Sequence, residues 1–268
     1  MAAGTPVLLV GCGRLGSAIT TGWLAAGAPS ASDLMILTPS PKPAAEAARA
    51  AGAKVNPPDA ELARAAVVVL AVKPAAWRPI AADLEPKLGA NAVVISVMAG
   101  VGASVLKEAF PGKLVARVMP TTGVAAERGS ASIWAETATA RDMARALFAP
   151  VAEMVDLETE GLLDAATAVS GSAPAYIFEF AAALARAGVA EGLTPEAAMR
   201  LARGAVTSAA VGLEGRSMTL DQLIGQIASP GGTTEAALRV LRRDGQLDRL
   251  VGEAVQAAIT RAQALGRS

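Results

Sequence analysis

The stretch GCGRLG, Gly11–Gly16, follows the apolar run Pro6–Val10 (PVLLV) and opens the helical pattern Leu15–Gly27. A G-x-G-x-x-G spacing between a strand and a helix is what a dinucleotide-binding turn requires. The first glycine permits the tight turn, the second lets the backbone approach a pyrophosphate, and the third lets helix and strand pack closely. The helix start then points its unpaired N–H groups and its dipole at the phosphates. Such a motif is weak alone, because glycine turns are common, so the surrounding pattern decides. Leu34–Leu37 (LMIL), Val67–Val72 (VVVLAV), Ala92–Val97 (AVVISV) and Lys113–Val118 (KLVARV) are continuous apolar runs, as expected of strands buried on both faces. Segments rich in Ala, Glu and Arg, helical in period, separate them. This is the signature of a doubly wound parallel sheet. Two shorter strands, near Ser130–Trp134 and Glu153–Leu157, flank a helix around Ala140–Phe148.

Beyond about residue 160 the strand signals stop. Leu162–Val169, Ala173–Ala190, Pro195–Leu213, Leu220–Ile227, Thr233–Arg243 and Leu247–Ala264 read as helices, with Thr194 and Pro195 as a helix cap and first-turn proline. The expectation is an α/β chain of two domains. Residues 1–159 form an N-terminal Rossmann sheet, and residues 160–268 an all-helical C-terminal domain. Several of these helices are apolar on more than one face, which predicts burial against a second copy of the chain.

In a chain of 268 residues, 53% apolar residues and zero net charge indicate a compact globular protein. The charges are scattered singly, so neither nucleic acid nor a membrane surface is an expected partner. Apolar stretches such as Ala65–Val72 are too short to span a bilayer, and Tyr176–Ala190 is interrupted by Glu179 and Arg186. The N-terminus lacks the basic start of a signal peptide. A single cysteine, Cys12, excludes an intrachain disulfide and fits a reducing cytoplasm. Histidine is absent altogether, which removes Ser-His-Asp and Cys-His chemistry and nearly all zinc sites; no metal is expected.

At the end of the second strand, enzymes that use NAD usually place an acid on the ribose 2′-hydroxyl. Here the run is Thr38, Pro39, Ser40, Pro41, Lys42, with no acid before Glu46. Hydroxyls and a lysine suit a 2′-phosphate better, so NADPH is expected in preference to NADH.

Six segments together resemble the pyrroline-5-carboxylate reductases. They are VGCGRLGSAI (Val10–Ile19), TPSP (Thr38–Pro41), LAVKP (Leu70–Pro74), VISVMAGV (Val94–Val101), AVSGSAPAYIF (Ala168–Phe178) and SPGGTTEAALRVL (Ser229–Leu241). The last two are the specific ones, being long and without a generic structural reason to occur together. The resemblance implies hydride transfer from NAD(P)H to the C=N carbon of a five-membered cyclic imino acid, 1-pyrroline-5-carboxylate, in the last step of proline synthesis. It implies a homodimer through the helical domain and allows larger assemblies built of dimers. It places Gly11, Gly13, Arg14, Leu15 and Gly16 along the pyrophosphate, and Thr38 and Ser40 near the adenosine ribose. Val72, Lys73 and Pro74 would line the cofactor at the third βα loop, and Ala99 and Gly100 at the fourth.

The stretch Ser229, Pro230, Gly231, Gly232, Thr233, Thr234 would hold the substrate. Free N–H groups at a helix start, with the dipole, bind a carboxylate without a cationic side chain. The resemblance gives the Thr234 hydroxyl, as the catalytic residue, the ring nitrogen. The chain departs from the family where MPNTP is usual: it reads Met119, Pro120, Thr121, Thr122, Gly123. Met98 stands where a small residue is usual. Two alternatives therefore stay open. One is a related reductase of another cyclic imine or small acid, although a lysine in the helical domain, usual in β-hydroxyacid dehydrogenases, is missing, since Lys113 is the last. The other is a cofactor-binding regulatory protein without turnover. Tyr176 reads as a packing residue, and Lys73 as a cofactor or backbone contact.

Overall fold

The computed structural model describes residues 4–214 and 218–267. By internal contacts the chain divides into two compact units, Met1–Gly171 with Ala258–Ser268, and Ser172–Ala257. Relative to a division at 159/160, the first unit additionally holds one short helix, a π turn and the end of the last helix.

The first unit alternates β1 (Val7–Val10), α1 (Arg14–Ala26), β2 (Leu34–Leu37), α2 (Pro43–Ala50), β3 (Lys54–Val55), α3 (Asp59–Leu62), β4 (Val67–Leu70), α4 (Trp77–Leu84), β5 (Val93–Ser96), α5 (Ala103–Ala109) and β6 (Leu114–Pro120). It continues with β7 (Gly129–Ala135), α6 (Ala138–Phe148), β8 (Ala152–Asp156) and α7 (Leu162–Ala166). The strands form one sheet in the order β3-β2-β1-β4-β5-β6-β7-β8. Val7 sits between Leu34 and Val67, so the order reverses beside β1. All neighbours are parallel except β6 and β7. Only residues 121–128 join that pair, fewer than the dozen or so a parallel crossover needs, and a hairpin is what they permit. The two-residue β3 carries no periodic signal in the sequence.

Alternate side chains of one strand feed two cores. Val7 and Leu9 pack with Trp23 and Phe148, Leu8 and Val10 with Trp77 and Phe110. Each such large apolar side chain contributes roughly 1.5–3 kcal/mol when removed from water. Trp23 fixes α1 against α6. Its indole N–H donates to the Leu147 carbonyl at 3.0 Å, and its ring lies 5.8 Å from Phe148 at a tilt of 56°. α1 ends where Gly27 takes a left-handed conformation.

After α7 a π turn, Thr167–Gly171, leads into α8 (Ala173–Ala190). The Thr167 and Ser170 hydroxyls donate back to the carbonyls of Leu163 and Ala166 at 2.6 and 2.8 Å. The second unit holds α8, α9 (Pro195–Leu213), α10 (Leu220–Ile227), α11 (Thr233–Arg242) and the start of α12 (Gln246–Arg267). Thr194 caps α9 by accepting the Ala197 N–H, and Thr219 with Gln222 forms a capping box on α10. Ala185, Ala198 and Ala202 make the small core between α8 and α9, where short side chains let the helices approach. The helical stretch Leu162–Ala190 is, by length and composition, long and apolar enough to cross a membrane, with a mean hydropathy of 1.2. It is interrupted by the π turn and carries Asp164, Glu179 and Arg186.

Candidate active site

The carboxyl ends of β2, β1, β4 and β5 are adjacent at one edge of the sheet, on both sides of the point where strand order reverses. Ligands of open α/β sheets bind in that crevice. Gly11 leaves β1 with φ +97°, and its N–H donates to the Leu37 carbonyl at 2.8 Å. A Cβ there would lie 2.7 Å from the Ala71 carbonyl, and one at Gly16 would collide with the carbonyl of Gly11. Gly13 differs: a Cβ would meet nothing within 4 Å. It is the N-cap of α1, with no side-chain cap and no acid in the first turn. Arg14 is exposed beside it. The first and third glycines thus hold the turn together, while the second faces open space beside unpaired helix N–H groups. Those residues fit a dinucleotide pyrophosphate.

At the end of β2, Thr38 is held by a residue that composition does not flag. Asn56, left-handed at φ 52°, accepts the Thr38 N–H at 2.9 Å and donates to the Thr38 carbonyl at 3.0 Å. The Thr38 hydroxyl donates to the Ser40 carbonyl at 3.0 Å. Thr38 is buried and shapes the turn; Ser40 is the exposed hydroxyl. After β4, the Val72 side chain stands beside Gly11, and Lys73 is exposed ahead of the turn Pro74–Ala76. After β5, Gly100 has φ +76° and packs against Ala262 and Gly266 at the end of α12. Met98 does not enter the crevice: it is 2% exposed, in the core with Val101 and Leu106.

Thr121 closes the β6–β7 hairpin. Its N–H donates to the Ser130 carbonyl at 2.9 Å, and its hydroxyl oxygen accepts the Ser130 N–H at 3.1 Å. The threonine that replaces the usual asparagine therefore has a structural task.

In the helical unit, the turn Ser229–Gly232 ends in Gly232, the N-cap of α11, with no side-chain cap. The Gly232 N–H donates to the Ser229 carbonyl at 3.0 Å, and the Gly231 N–H donates to the Glu235 carboxylate at 2.8 Å. Of the N–H groups of Gly231 to Thr234, these two are thus engaged within the turn. Thr233 and Thr234, the first two residues of α11, keep N–H groups with no carbonyl partner in the helix. Among the described residues, Lys87 is drawn off its ordinary titration range, upward, by hydrogen bonds to Asp83 and then Asp59. That raised value favours the folded state below the ordinary lysine range and ceases to do so as pH climbs beyond it. Lys87 follows α4 at the sheet edge opposite the glycine turn, so it bears on no chemistry there.

Residues 160–265 match the family model for pyrroline-5-carboxylate reductase dimerisation, and residues 6–100 the model for coenzyme F420-dependent NADP oxidoreductases. A pyrroline-5-carboxylate reductase from Thermus thermophilus is 36% identical over 265 residues, covering 97% of this chain and 98% of its own. The chain belongs to the pyrroline-5-carboxylate reductase family. The Synechocystis reductase is 34% identical over 80% of both chains. Among solved structures, a Coxiella burnetii pyrroline-5-carboxylate reductase superposes with a TM-score of 0.88 at 28% identity, covering 99% of this chain and 100% of that one. The Plasmodium falciparum enzyme, solved with NADP bound, gives 0.82 at 26% identity and covers 98% and 99%.

Within this reductase fold the residues singled out from the sequence divide into a cofactor set and a substrate set. Gly11 to Gly16, Thr38 and Ser40, Val72 to Pro74, and Ala99 and Gly100 all lie at one sheet edge, whereas Ser229 to Thr234 belong to the helical unit. Sequence reading missed Asn56 and Glu235. The latter was discoverable, since an acid at the third position of a helix is a familiar partner for N–H groups at its start.

Proposed function

We propose that this chain reduces 1-pyrroline-5-carboxylate to proline, with NADPH as its preferred hydride donor. The observation that carries the reading is that similarity to reductases of that name runs through both units. The matched spans take in the glycine turn of residues 11–16 and the SPGGTT stretch of residues 229–234. When bound, the nicotinamide supplies a hydride to the C=N carbon. The chain's own groups bind and orient. The free N–H groups of α1 hold the pyrophosphate. Ser40 and Lys42, after β2, would suit a 2′-phosphate. The N–H groups of Thr233 and Thr234 take the substrate carboxylate, and the Thr234 hydroxyl hydrogen-bonds the ring nitrogen. No imidazole is present to move a proton, so the imine draws on solvent or on that hydroxyl. Orientation of the C=N bond then supplies much of the acceleration. The working form is a homodimer through the helical unit, in the cytoplasm.

The regulatory alternative rested on the altered loop after β6. The bonding of Thr121 to Ser130 gives the threonine of that loop a structural reason. The deciding experiment follows NADPH oxidation with 1-pyrroline-5-carboxylate, repeated with NADH and with Thr234→Ala. Turnover that favours NADPH and drops in the variant supports the reading. A folded, NADPH-binding protein that turns over no cyclic imine returns it to the regulatory alternative.

A further inference from the structure

One ion pair under the crevice has no part in the chemistry above. Arg117, in β6 opposite Ser96 of β5, is 5% exposed. Its Nη1 donates to Glu160 Oε1 at 2.8 Å, while Nε and Nη2 are buried without a hydrogen-bond acceptor. A buried guanidinium with unpaired donors is a poor way to gain stability, because desolvation offsets most of the attraction. The same Glu160 oxygen also accepts the N–H of Ala103 at 2.6 Å. Ala103 begins α5, immediately after residues 97–102, the loop that carries Ala99 and Gly100. One carboxylate thus ties the start of α5 to β6 at the loop's far end. At the near end, the Ser96 hydroxyl oxygen accepts the Met98 N–H at 3.2 Å. At its middle, Gly100 meets the backbone of Gly266 so closely that a Cβ on either glycine would collide with the other segment. The Val97 N–H adds a tie to the Leu70 carbonyl at 3.1 Å, and among the described residues the charged tie is the one through Glu160.

We propose that Arg117 and Glu160 are positioning residues for the nicotinamide half of the cofactor: they hold the loop so that Ala99 and Gly100 present a fixed edge to it. This rests on the reading of Ala99 and Gly100 as cofactor residues. The test compares equilibrium binding of NADPH and of adenosine 2′,5′-bisphosphate, which carries the adenine end and 2′-phosphate but no nicotinamide. Displacing a group that orients a ligand weakens its binding, here by about tenfold for NADPH in Glu160→Ala, with the bisphosphate unchanged. Glu160→Gln, which keeps an oxygen for the Ala103 N–H, recovers most of the NADPH affinity. Equal weakening of both ligands, or of neither, overturns the proposal. Glu160→Asp keeps the charge and shortens its reach to the Arg117 guanidinium and the Ala103 N–H, so it carries the same comparison if Glu160→Ala does not fold. Wild-type protein that binds neither ligand defeats the cofactor reading instead.

Discussion

Gly11 and Gly13 are two positions apart and are glycine for opposite reasons. At Gly11 an alanine meets both a left-handed backbone and the Ala71 carbonyl, so Gly11→Ala should destabilise the fold by at least ~1–2 kcal/mol, read as a lower melting temperature. At Gly13 there is open space, and Gly13→Ala should cost at most about 1 kcal/mol, the difference between a glycine and an alanine N-cap, while weakening NADPH binding. A Gly13→Ala protein that binds NADPH normally would remove the second glycine from the phosphate site. Thr121 gives a second contrast. Thr121→Val strips the acceptor from the Ser130 N–H and should cost about 1–3 kcal/mol, whereas Thr121→Asn offers an amide oxygen in its place and should preserve both fold and turnover. The phosphate turn was legible in the sequence because its three glycines fall within one short stretch between a strand and a helix. Asn56, Arg117 and Glu160 were not. Asn56 acts across 18 positions, and Glu160 across 43 to Arg117 and 57 to Ala103, so only folding gives those polar residues their meaning.

Elements were legible where burial leaves a pattern. The strands covered on both faces write continuous apolar runs, which is why β1, β2, β4, β5 and β6 were all expected close to their observed positions. β3 is too short to write one, and the antiparallel turn from β6 to β7 lies in loop length rather than composition. The return of α12 to the sheet unit is equally silent, since its signal is a pair of glycines far apart in sequence, Gly100 and Gly266. The turn after β2 gives the prediction at this scale. Its shape depends on the two hydrogen bonds from the Asn56 amide to the Thr38 backbone. Asn56→Ala should raise the KM for NADPH more than it changes kcat, because the adenosine end loses its support while the reacting atoms do not. Asn56→Asp, which keeps the acceptor and loses the donor, should fall between. A kcat defect with an unchanged KM would put Asn56 somewhere other than the cofactor turn.

At the scale of the molecule, the helical unit carries large apolar side chains that are exposed. Phe178 and Ile227 are each 70% exposed, Leu220 66% and Leu201 62%. Phe178 and Met199 also line one groove with Ala181, Ala182 and Val206, at whose side stand Arg203 and Thr207. Patches of that kind on soluble chains mark interfaces, and this unit is the one matched by the dimerisation model. Association that favours the folded state makes apparent stability depend on concentration by mass action. The melting temperature should therefore rise with protein concentration, and sedimentation should give a dimer or a multiple of it. Phe178→Lys places a second positive charge in the groove that Arg203 also lines, and should shift the sedimenting species toward monomer and abolish the concentration dependence. It leaves the strands, the glycine turn and the Asn56 clamp untouched, so the cofactor turn gives no reason for adenosine 2′,5′-bisphosphate binding to change. A wild-type chain that sediments as a monomer, with a melting temperature independent of concentration, would mean the exposed aromatic face serves a different partner.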